Sequence, residues 1–397
     1  MSLTEDEDAS ERLILPSLVM SRFATQPMTL LLGLLLVDIA ETFETSIGVM
    51  GQIRTASSIM TVIFALLIGV LSVRFRHKSL LVVGLAFLST SALGCIFAPN
   101  FAFMLLSYSL TGLAIAMVEP MSLTLLAEHF PLERRGRAIG WVISGMTVSY
   151  AVAAPSISFI AGFGGWRSAL LAFVLPISLL SLLLVVKGIP STPHIHYKTM
   201  SPRSYLEGFK IVFSKRSAVA CFTGSALLMA AYQAAMFYGT SFFRTRHLIP
   251  VDLASLIILG AASSFTLGSQ ISGRWVNKFG SKPLSVSAAF FTGVFIISYV
   301  NVPDLMLSLA FRFLGSLFMG VTYAASSSLT LEQVPTHRGT MMSVSSASGG
   351  LGSVLGTGIG GLSLLLFDYE ELGISLGSLA ILAALIYQIL TVDPTRK

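Results

Sequence analysis

Long apolar segments alternate with short polar ones along almost the whole chain. From residue 27 onward the apolar segments have the length of about 20 residues that an α-helix needs to cross a bilayer. They are predicted at 27–47, 54–73, 79–98, 102–127, 138–162, 167–187, 217–242, 252–274, 283–301, 304–330, 339–366 and 372–392. The pattern therefore predicts an all-α polytopic membrane protein with twelve transmembrane helices.

The composition supports this interpretation. The 397 residues are 54% hydrophobic and 11% charged, whereas about 25% of the residues in a soluble domain are charged. The net charge of +6 resides mostly in short loops, so it indicates membrane topology and gives no support for a nucleic-acid partner. Cys95 and Cys221 lie far apart in apolar segments, so neither a disulfide framework nor a metal cluster is indicated.

Positive charge is distributed unequally between the two sides of the predicted membrane. Most Lys and Arg residues lie in the N-terminal region, in the middle of the chain and in the loops that follow even-numbered helices. The loops on the opposite side contain only Arg54, Arg167, Arg244 and Arg246. By the positive-inside rule, both termini are expected on the cytoplasmic side of the cell membrane.

Polar stretches divide the chain into four parts. Residues 1–26 are predicted as a cytoplasmic tail, in which residues 9–23, interrupted by Pro16, have the pattern of a surface helix. Residues 188–216 are predicted as a cytoplasmic linker between two six-helix bundles, 27–187 and 217–397. His194 and His196 lie in this linker without a nearby third ligand, so a solvated linker is favoured over a metal site.

The two halves repeat one sequence pattern. Residues 69–78 follow the second segment and match residues 273–282 after the eighth, at a separation of 204 residues. Residues 128–131 match residues 332–335 at the same separation. Such a repeat predicts two pseudo-symmetric bundles with a binding site at their interface.

The repeated segments resemble motifs of the major facilitator superfamily. Residues 69–78 resemble its loop-2/3 signature, G-x-L-x-D-R-x-G-R-K, residues 131–140 its loop-4/5 sequence, and Gly165-Trp166-Arg167 its G-W-R motif. The resemblance covers the chain from about residue 27 and implies the major facilitator fold. It also implies a structural or gating role for a set of loop and helix-end residues. These are Gly69, Arg74, Lys78, Arg135, Gly273, Asn277, Lys278, Lys282 and Arg338.

The chain departs from the superfamily pattern at several positions. Val73 and Asn277 stand where the loop signature has Asp, and Tyr108 stands where the fourth-helix motif has Arg. Of the Gly-Pro ending of the fifth-helix antiporter motif, only Ala154-Pro155 is present. Asp38 is nevertheless similar to the first-helix Asp of the drug:proton antiporter branch.

Acidic residues inside the first and fourth segments are the candidate proton carriers. Asp38, Glu41 and Glu44 fan over about 120° of one helix face, and an ionised acid at the membrane centre costs about 2.5–3.5 kcal/mol. We therefore expect this face to line a water-filled pathway. Glu119 is expected at a depth similar to that of Asp38, so Asp38, Glu41 and Glu119 are assigned to proton coupling. The alternative is that these acids form permanent ion pairs between helices.

Two other charged residues have different expected roles. Glu44 lies nearer the outer surface and is expected to form a structural pair with Arg54. Arg312 is the basic residue deep inside a segment; it is expected to pair with Glu41 or Glu44, or to bind an anionic group of a substrate. The alternative for Arg312 is local bonding to backbone carbonyl groups.

Aromatic and amide side chains are candidates for the substrate-binding surface. The seventh segment contains Tyr232, Gln233, Phe237 and Tyr238, and the tenth contains Tyr323. Such groups often line cavities for amphipathic ligands, but they are equally common in helix packing. The glycines of the eleventh segment favour close helix packing.

These features together predict a proton-coupled secondary active transporter that exports small amphipathic molecules, drug-like or metabolite. The alternative is an importer or exchanger of a defined metabolite such as an organic anion or a sugar. The expected partners are a small-molecule substrate, protons and the lipid bilayer, and we expect a monomer. No enzyme motif or P-loop occurs in the sequence, so neither enzymatic activity nor a cofactor is predicted.

Overall fold

The computed structural model describes residues 3–130, 132–190, 210–334 and 338–393, and the regular structure in these residues is helical. The first half contains α1 (Leu3–Leu34), α2 (Leu36–Thr42), α3 (Ile47–Arg74), α4 (His77–Ile96), α5 (Phe101–His129), α6 (Leu132–Ala169), a π-helical turn (Leu170–Val174) and α7 (Leu175–Gly188). The second half contains α8 (Arg216–Arg246), α9 (Val251–Phe279), α10 (Ser281–Asn301), α11 (Leu305–Gln333), α12 (Arg338–Leu366) and α13 (Tyr369–Leu390).

The described helices account for the predicted twelve membrane spans. Ten helical runs are long and apolar enough to cross a membrane, and the bent pair α1–α2 adds one more. The run Val148–Gly188 has 41 residues, or about 60 Å of helix, which is twice the thickness of the hydrocarbon core. It is interrupted at Gly164 and Gly165, where Gly165 has a φ of 73° that favours glycine. Counting it as two spans gives twelve.

The first span differs from the sequence prediction. Helix α1 begins at Leu3 and continues past Pro16 and Pro27, so the predicted break at Pro16 is wrong, and the cytoplasmic tail of residues 1–26 stays a prediction. The membrane-length part begins at Leu13 and, after a bend of 66°, ends at Thr42. The prediction placed the start of the span at residue 27 because the uninterrupted apolar run begins there. In the structure Arg22 is buried.

The chain forms two compact units. The first contains Met1–Thr45, Ala56–Tyr197 and Pro250–Leu256, and the second contains Ser46–Thr55, Lys198–Ile249 and Ile257–Lys397. Most of the predicted linker, residues 188–216, lies outside the described residues.

Two short segments group with the unit formed mainly by the other half of the chain. Ser46–Thr55 belongs to the second unit, and Pro250–Leu256 belongs to the first. In the second unit, the hydroxyl of Thr55 on α3 donates to the hydroxyl of Thr357 on α12 at 3.2 Å. In the first unit, Ser158 on α6 donates to the carboxylate of Asp252, in the first turn of α9, at 2.7 Å. Single hydrogen bonds of this kind depend on the packing of helices distant in sequence, which the repeat pattern does not encode.

The sequence repeat corresponds to equivalent contacts in the two units. In the first unit, the His77 Nδ1 atom lies 2.6 Å from the Glu128 carboxylate and joins α4 to α5. In the second unit, Ser281 donates to the Glu332 carboxylate at 3.1 Å and joins α10 to α11. Both pairs of positions are related by the 204-residue separation found in the sequence.

The lysines of the repeated signature also have equivalent partners. Lys78 Nζ donates to the Val186 carbonyl at 2.9 Å, and Lys282 Nζ donates to the Thr391 carbonyl at 2.6 Å. Both acceptors lie at the end of the last helix of their half, where carbonyl groups have no partner within the helix. The signature lysine thus ties the third predicted span of each half to the sixth.

Glycines of α12 allow close packing against α8. A Cβ atom at Gly352 would overlap the Ala226 carbonyl oxygen, and one at Gly356 would overlap the Ala230 carbonyl oxygen. At Gly349 the nearest atom to such a Cβ is Met229 Cγ at 3.7 Å. The predicted packing role of this glycine-rich segment is therefore confirmed at Gly352 and Gly356 but is not required at Gly349.

We expect Gly356→Ala to lower the free energy of unfolding by about 1–3 kcal/mol, because α12 must move away from α8. The matched control, Gly349→Ala on the same helix, meets only ordinary contacts and should stabilise the helix by at most about 1 kcal/mol. Thermal unfolding of the purified variants in detergent measures both effects. Equal stability of the two variants would contradict the packing described here.

Candidate functional site

The bent outer part of the first span contains the predicted acidic cluster. Asp38 is half-buried on α2, whereas Glu41 and Glu44 are exposed. The indole Nε1 of Trp166 on α6 donates to the hydroxyl of Thr42 at 3.0 Å and so anchors the end of α2. Asp38 and Glu41 are therefore held on a short, tethered helix beyond a bend. Glu44 follows this helix in a left-handed conformation, so the prediction that all three acids share one helix face is wrong at Glu44.

The two principal acids lie at different distances from their helix ends. Asp38 lies about 6 Å along α2 from Thr42, and Glu119 lies about 27 Å along α5 from Phe101. The expectation of similar depth assumed a span from 27 to 47, whereas the span begins earlier and ends at Thr42. Their similar depth in the membrane stays a prediction.

Glu119 forms an ion pair with Arg22, a residue that sequence reasoning assigned to the tail. The Arg22 Nη1 atom lies 3.0 Å from the Glu119 Oε1 atom. The Arg22 side chain is 9% exposed, whereas that of Glu119 is 40% exposed. The pair therefore joins a buried cation on α1 to a partly exposed carboxylate on α5.

The remaining surroundings of the Arg22 guanidinium are weakly polar. Its Nη2 atom contacts the Met146 sulfur on α6 at 2.7 Å, and its Nε atom has no hydrogen-bond partner among the described residues. Because thioether sulfur is a weak acceptor, Glu119 is the principal partner of this charge. A permanent ion pair between helices was the alternative given by the sequence, and it stays a prediction. Because the Glu119 side chain is 40% exposed, the pair is not sealed inside the protein.

The second unit contains an aromatic cluster formed by three helices. Tyr232 on α8 stacks on Phe265 on α9 with ring centroids 5.2 Å apart. Phe265 in turn contacts Tyr323 on α11 at 5.8 Å. Tyr323 is 47% exposed, and Gln233, which follows Tyr232, is half-buried. The structure thus brings Tyr232 and Tyr323 together through a ring that the sequence analysis did not select.

Glycine packing explains why Phe265 occupies this position. A Cβ atom at Gly320 on α11 would overlap the Phe265 carbonyl oxygen, and one at Gly268 on α9 would overlap the Leu317 carbonyl oxygen. Helices α9 and α11 therefore approach each other closely, and the Phe265 ring lies beside Tyr323. In the sequence, Gly268 near Phe265 and Gly320 near Tyr323 could have indicated that these two rings lie close together.

Two of the predicted binding residues lie in the packed interior of the second unit. Phe237 and Tyr238 are buried, and the Tyr238 hydroxyl donates to the Thr357 carbonyl at 3.0 Å. The Tyr238 ring fills the space beside Gly360 on α12. These positions fit the helix-packing alternative, and a role of Phe237 and Tyr238 in substrate binding stays a prediction. The more exposed candidates are Tyr232, Gln233 and Tyr323, which lie near Phe265.

Arg312 on α11 is buried in the second unit. Its Nη2 atom lies 2.9 Å from the Met236 sulfur, and its guanidinium lies over the ring of Tyr299 at 5.4 Å. The local bonds to backbone carbonyls that the sequence left open are absent from its contacts with the described residues. Its pairing with Glu41 or Glu44, which belong to the first unit, stays a prediction.

The candidate gating residues have varied environments. Lys78 and Lys282 make the equivalent carbonyl contacts described above, whereas Arg74, Asn277 and Lys278 are exposed. The others lie in helices: Gly69 and half-buried Arg54 in α3, Arg135 in α6, Gly273 in α9 and Arg338 in α12. Glu44 follows α2 in a left-handed conformation with a φ of 52°, and its pairing with Arg54 stays a prediction.

The fold and these charged and aromatic sites define a class, that of polytopic helical membrane transporters built from a repeated six-helix pattern. A sequence model of the Major Facilitator Superfamily matches residues 18–269 and 249–397. The chain therefore belongs to the Major Facilitator Superfamily, whose members are secondary transporters and not enzymes. It is a multi-pass membrane protein.

Two curated relatives illustrate the range of similar sequences. The chain is 27% identical over 378 residues to the uncharacterized MFS-type transporter YceJ of Bacillus subtilis (strain 168), covering 93% of each chain. It is 25% identical over 258 residues to the purine ribonucleoside efflux pump NepI of Salmonella typhimurium, covering 59% of this chain and 65% of the pump.

Solved structures share the fold at low sequence identity. A crystal structure of a D-xylose-proton symporter matches with a TM-score of 0.81 and 16% identity, covering 97% of this chain and 99% of the symporter. A crystal structure of the nucleoside transporter NupG matches with a TM-score of 0.77 and 15% identity, covering 95% and 98%. At these identities the similarity establishes the architecture.

The unequal burial of Arg22 and Glu119 predicts unequal effects of removing either partner. Glu119→Leu leaves a buried guanidinium without its carboxylate and should cost about 3 kcal/mol of stability. Arg22→Met leaves a carboxylate that water can solvate and should cost less than about 1 kcal/mol. Thermal unfolding of the single and double variants measures the difference. A double variant no more stable than Glu119→Leu would contradict this account.

Proposed function

We propose that this protein is a proton-coupled secondary active transporter that exports small amphipathic molecules. Membership in the superfamily establishes the transporter class. The observation that carries the proton-coupling proposal is the Arg22–Glu119 pair, in which a partly exposed carboxylate within a membrane-spanning helix is the partner of a buried cation. Such a carboxylate can exchange protons with water, and its charge state affects a neighbour that cannot readily be hydrated.

Protonation of Glu119 would change the surroundings of Arg22. The neutral acid no longer balances the guanidinium charge, and a buried charge without a partner is strongly unfavourable. A conformation that supplies new acceptors to Arg22 is then favoured, and a substrate group that needs the ionised Glu119 carboxylate is released. Proton uptake and substrate binding thus compete at one ion pair, as antiport requires.

Asp38 and Glu41 are proposed as a second proton-exchange site, nearer the outer end of the first span. Their half-buried and exposed positions support access to water. Movement of one charge through 100 mV supplies about 2.3 kcal/mol. Rocking of two bundles about a central site is the mechanism by which repeated transporters of this kind use such a gradient.

The aromatic cluster of the second unit is the proposed substrate surface. Tyr232, Phe265 and Tyr323 offer ring faces, and Gln233 offers an amide, which together suit a planar molecule with a polar edge. The efflux activity in the name of the Salmonella relative supports export. It also suggests purine ribonucleosides as one amphipathic substrate class to test.

The rival proposal is import or exchange of a defined metabolite such as an organic anion or a sugar. The buried Arg312, which has no acidic partner among the described residues of its own unit, favours an anionic metabolite. Uptake of labelled metabolites into intact cells would support this rival, whereas proton-driven efflux would support export.

We further propose that the protein is a monomer in the cell membrane. On the basis of the loop charges, we propose that both of its termini are cytoplasmic.

We expect Glu119→Gln and Asp38→Asn to lower proton-driven transport about tenfold or more, a loss equivalent to about 1.4 kcal/mol or more. The assay is transport of labelled inosine and of ethidium in proteoliposomes with an imposed pH gradient. Glu370→Gln is the control, because Glu370 forms an exposed ion pair with Arg246 at the surface and should transport as wild type. Full pH-driven transport by Glu119→Gln would rule out its role as proton carrier.

For the substrate surface, Phe265→Ala should raise KM for a transported aromatic probe about 2- to 12-fold, because one ring contact of about 0.5–1.5 kcal/mol is lost. Tyr323→Ala should behave similarly, and Tyr323→Phe should retain most of the affinity. Phe290→Ala, which removes an exposed ring on α10, is the control. An unchanged KM in Phe265→Ala would exclude the cluster from binding.

A further inference from the structure

Arg312 is a buried cation whose hydrogen-bonding capacity is not used by the protein. The residue is 4% exposed, and its Nε atom has no hydrogen-bond partner among the described residues. No carboxylate of the described part of its own unit forms an ion pair with it. Its close neighbours are the Met236 sulfur and the face of the Tyr299 ring.

These neighbours do not neutralise the guanidinium. Thioether sulfur accepts hydrogen bonds only weakly, and an aromatic face attracts a cation without accepting its in-plane N–H groups. Buried charges in proteins are normally paired and hydrogen-bonded. Two other arginines that are buried or half-buried follow this rule, since Arg22 has Glu119 and Arg167 donates to the carbonyls of Ile96 and Ala98.

Gly239 of α8 places no side chain against two potential donors, the Arg312 guanidinium and the Tyr299 hydroxyl. A Cβ atom built on Gly239 of α8 would lie 3.4 Å from Arg312 Cζ, 3.5 Å from Arg312 Nε and 3.4 Å from the Tyr299 hydroxyl oxygen. The absence of a side chain at Gly239 therefore leaves a position that the guanidinium and the phenol both border. An occupant there can accept hydrogen bonds from a charged and a neutral donor together.

We propose that Arg312, Tyr299 and Gly239 form a binding site for a small anionic group, either a halide ion or the carboxylate of a small organic acid. The guanidinium supplies the charge, the Tyr299 hydroxyl supplies a second donor, and the missing side chain at Gly239 leaves both donors uncovered on that side. The burial of Arg312 and Tyr299 restricts the ligand to a small group. This site is independent of the proton-coupling proposal, because it requires no transport and no titration of Glu119.

The test is thermal unfolding of the purified full chain in detergent at constant ionic strength. Chloride in one series, and acetate in another, replaces the bulky sulfonate MES. We expect a saturable rise in the melting temperature of the wild type with at least one of the two small anions. A response to chloride alone identifies a halide site, and a response to acetate identifies a carboxylate site.

Two variants on glycines provide the matched comparison. Gly239→Ala fills the proposed position with a methyl group at ordinary contact distances, so the protein should fold and its apparent Kd for the anion should rise about tenfold or more. Gly349→Ala adds the same methyl group elsewhere in the unit and should retain the wild-type response. Arg312→Gln should abolish the response if that variant folds.

Two results would overturn the proposal. One is a wild-type melting temperature that follows neither chloride nor acetate beyond the sulfonate reference. The other is an anion response in Gly239→Ala that equals that of the wild type, since the anion would then bind at another place. Both results are independent of whether pH drives transport.

Discussion

The free-energy cost of a charge inside the bilayer determines how the charged residues of this protein are arranged. Each described buried arginine has its own solution to this constraint. Arg22 pairs with Glu119, and Arg312 lies against the Tyr299 ring. The half-buried Arg167 combines both modes, because its guanidinium donates to two backbone carbonyls and lies over the Trp166 ring. An unpaired charge inside the membrane costs several kcal/mol, so a retained charge of this kind indicates a functional role for the residue and its partners.

Close helix packing is the second constraint, and it connects the fold to the candidate substrate surface. Gly268 and Gly320 let the backbones of α9 and α11 approach, and this contact sets the position of Phe265 between Tyr232 and Tyr323. In a bilayer, where helix association gains little from the hydrophobic effect, small residues provide this contact. The glycine residues that stabilise the second unit therefore also position its aromatic cluster.

The sequence predicted the spans and the repeat well because both depend on local composition and on matches between distant segments. Eleven spans agree closely with the helices, and the equivalent partners of Lys78 and Lys282 confirm the repeat. The first span was misplaced because hydropathy treats Arg22 as a polar residue in water, and its partner Glu119 lies in another helix. Phe265 was missed because the direction of a ring depends on helix rotation and packing, which neither spacing nor residue type specifies.

The two arginines in the cores of the two units also suggest how one charge state could control binding. Arg22 has a partly exposed carboxylate partner, whereas Arg312 has no such partner within its unit. A proton on Glu119 would place Arg22 in the situation that Arg312 already has, that of a buried guanidinium with a thioether neighbour and unused N–H donors. In the proposed antiport, a substrate group that binds the ionised Glu119 carboxylate would lose affinity as the proton binds and regain it as the proton leaves. Such a dependence is a coupling free energy between two ligands, and by linkage it acts equally in both directions.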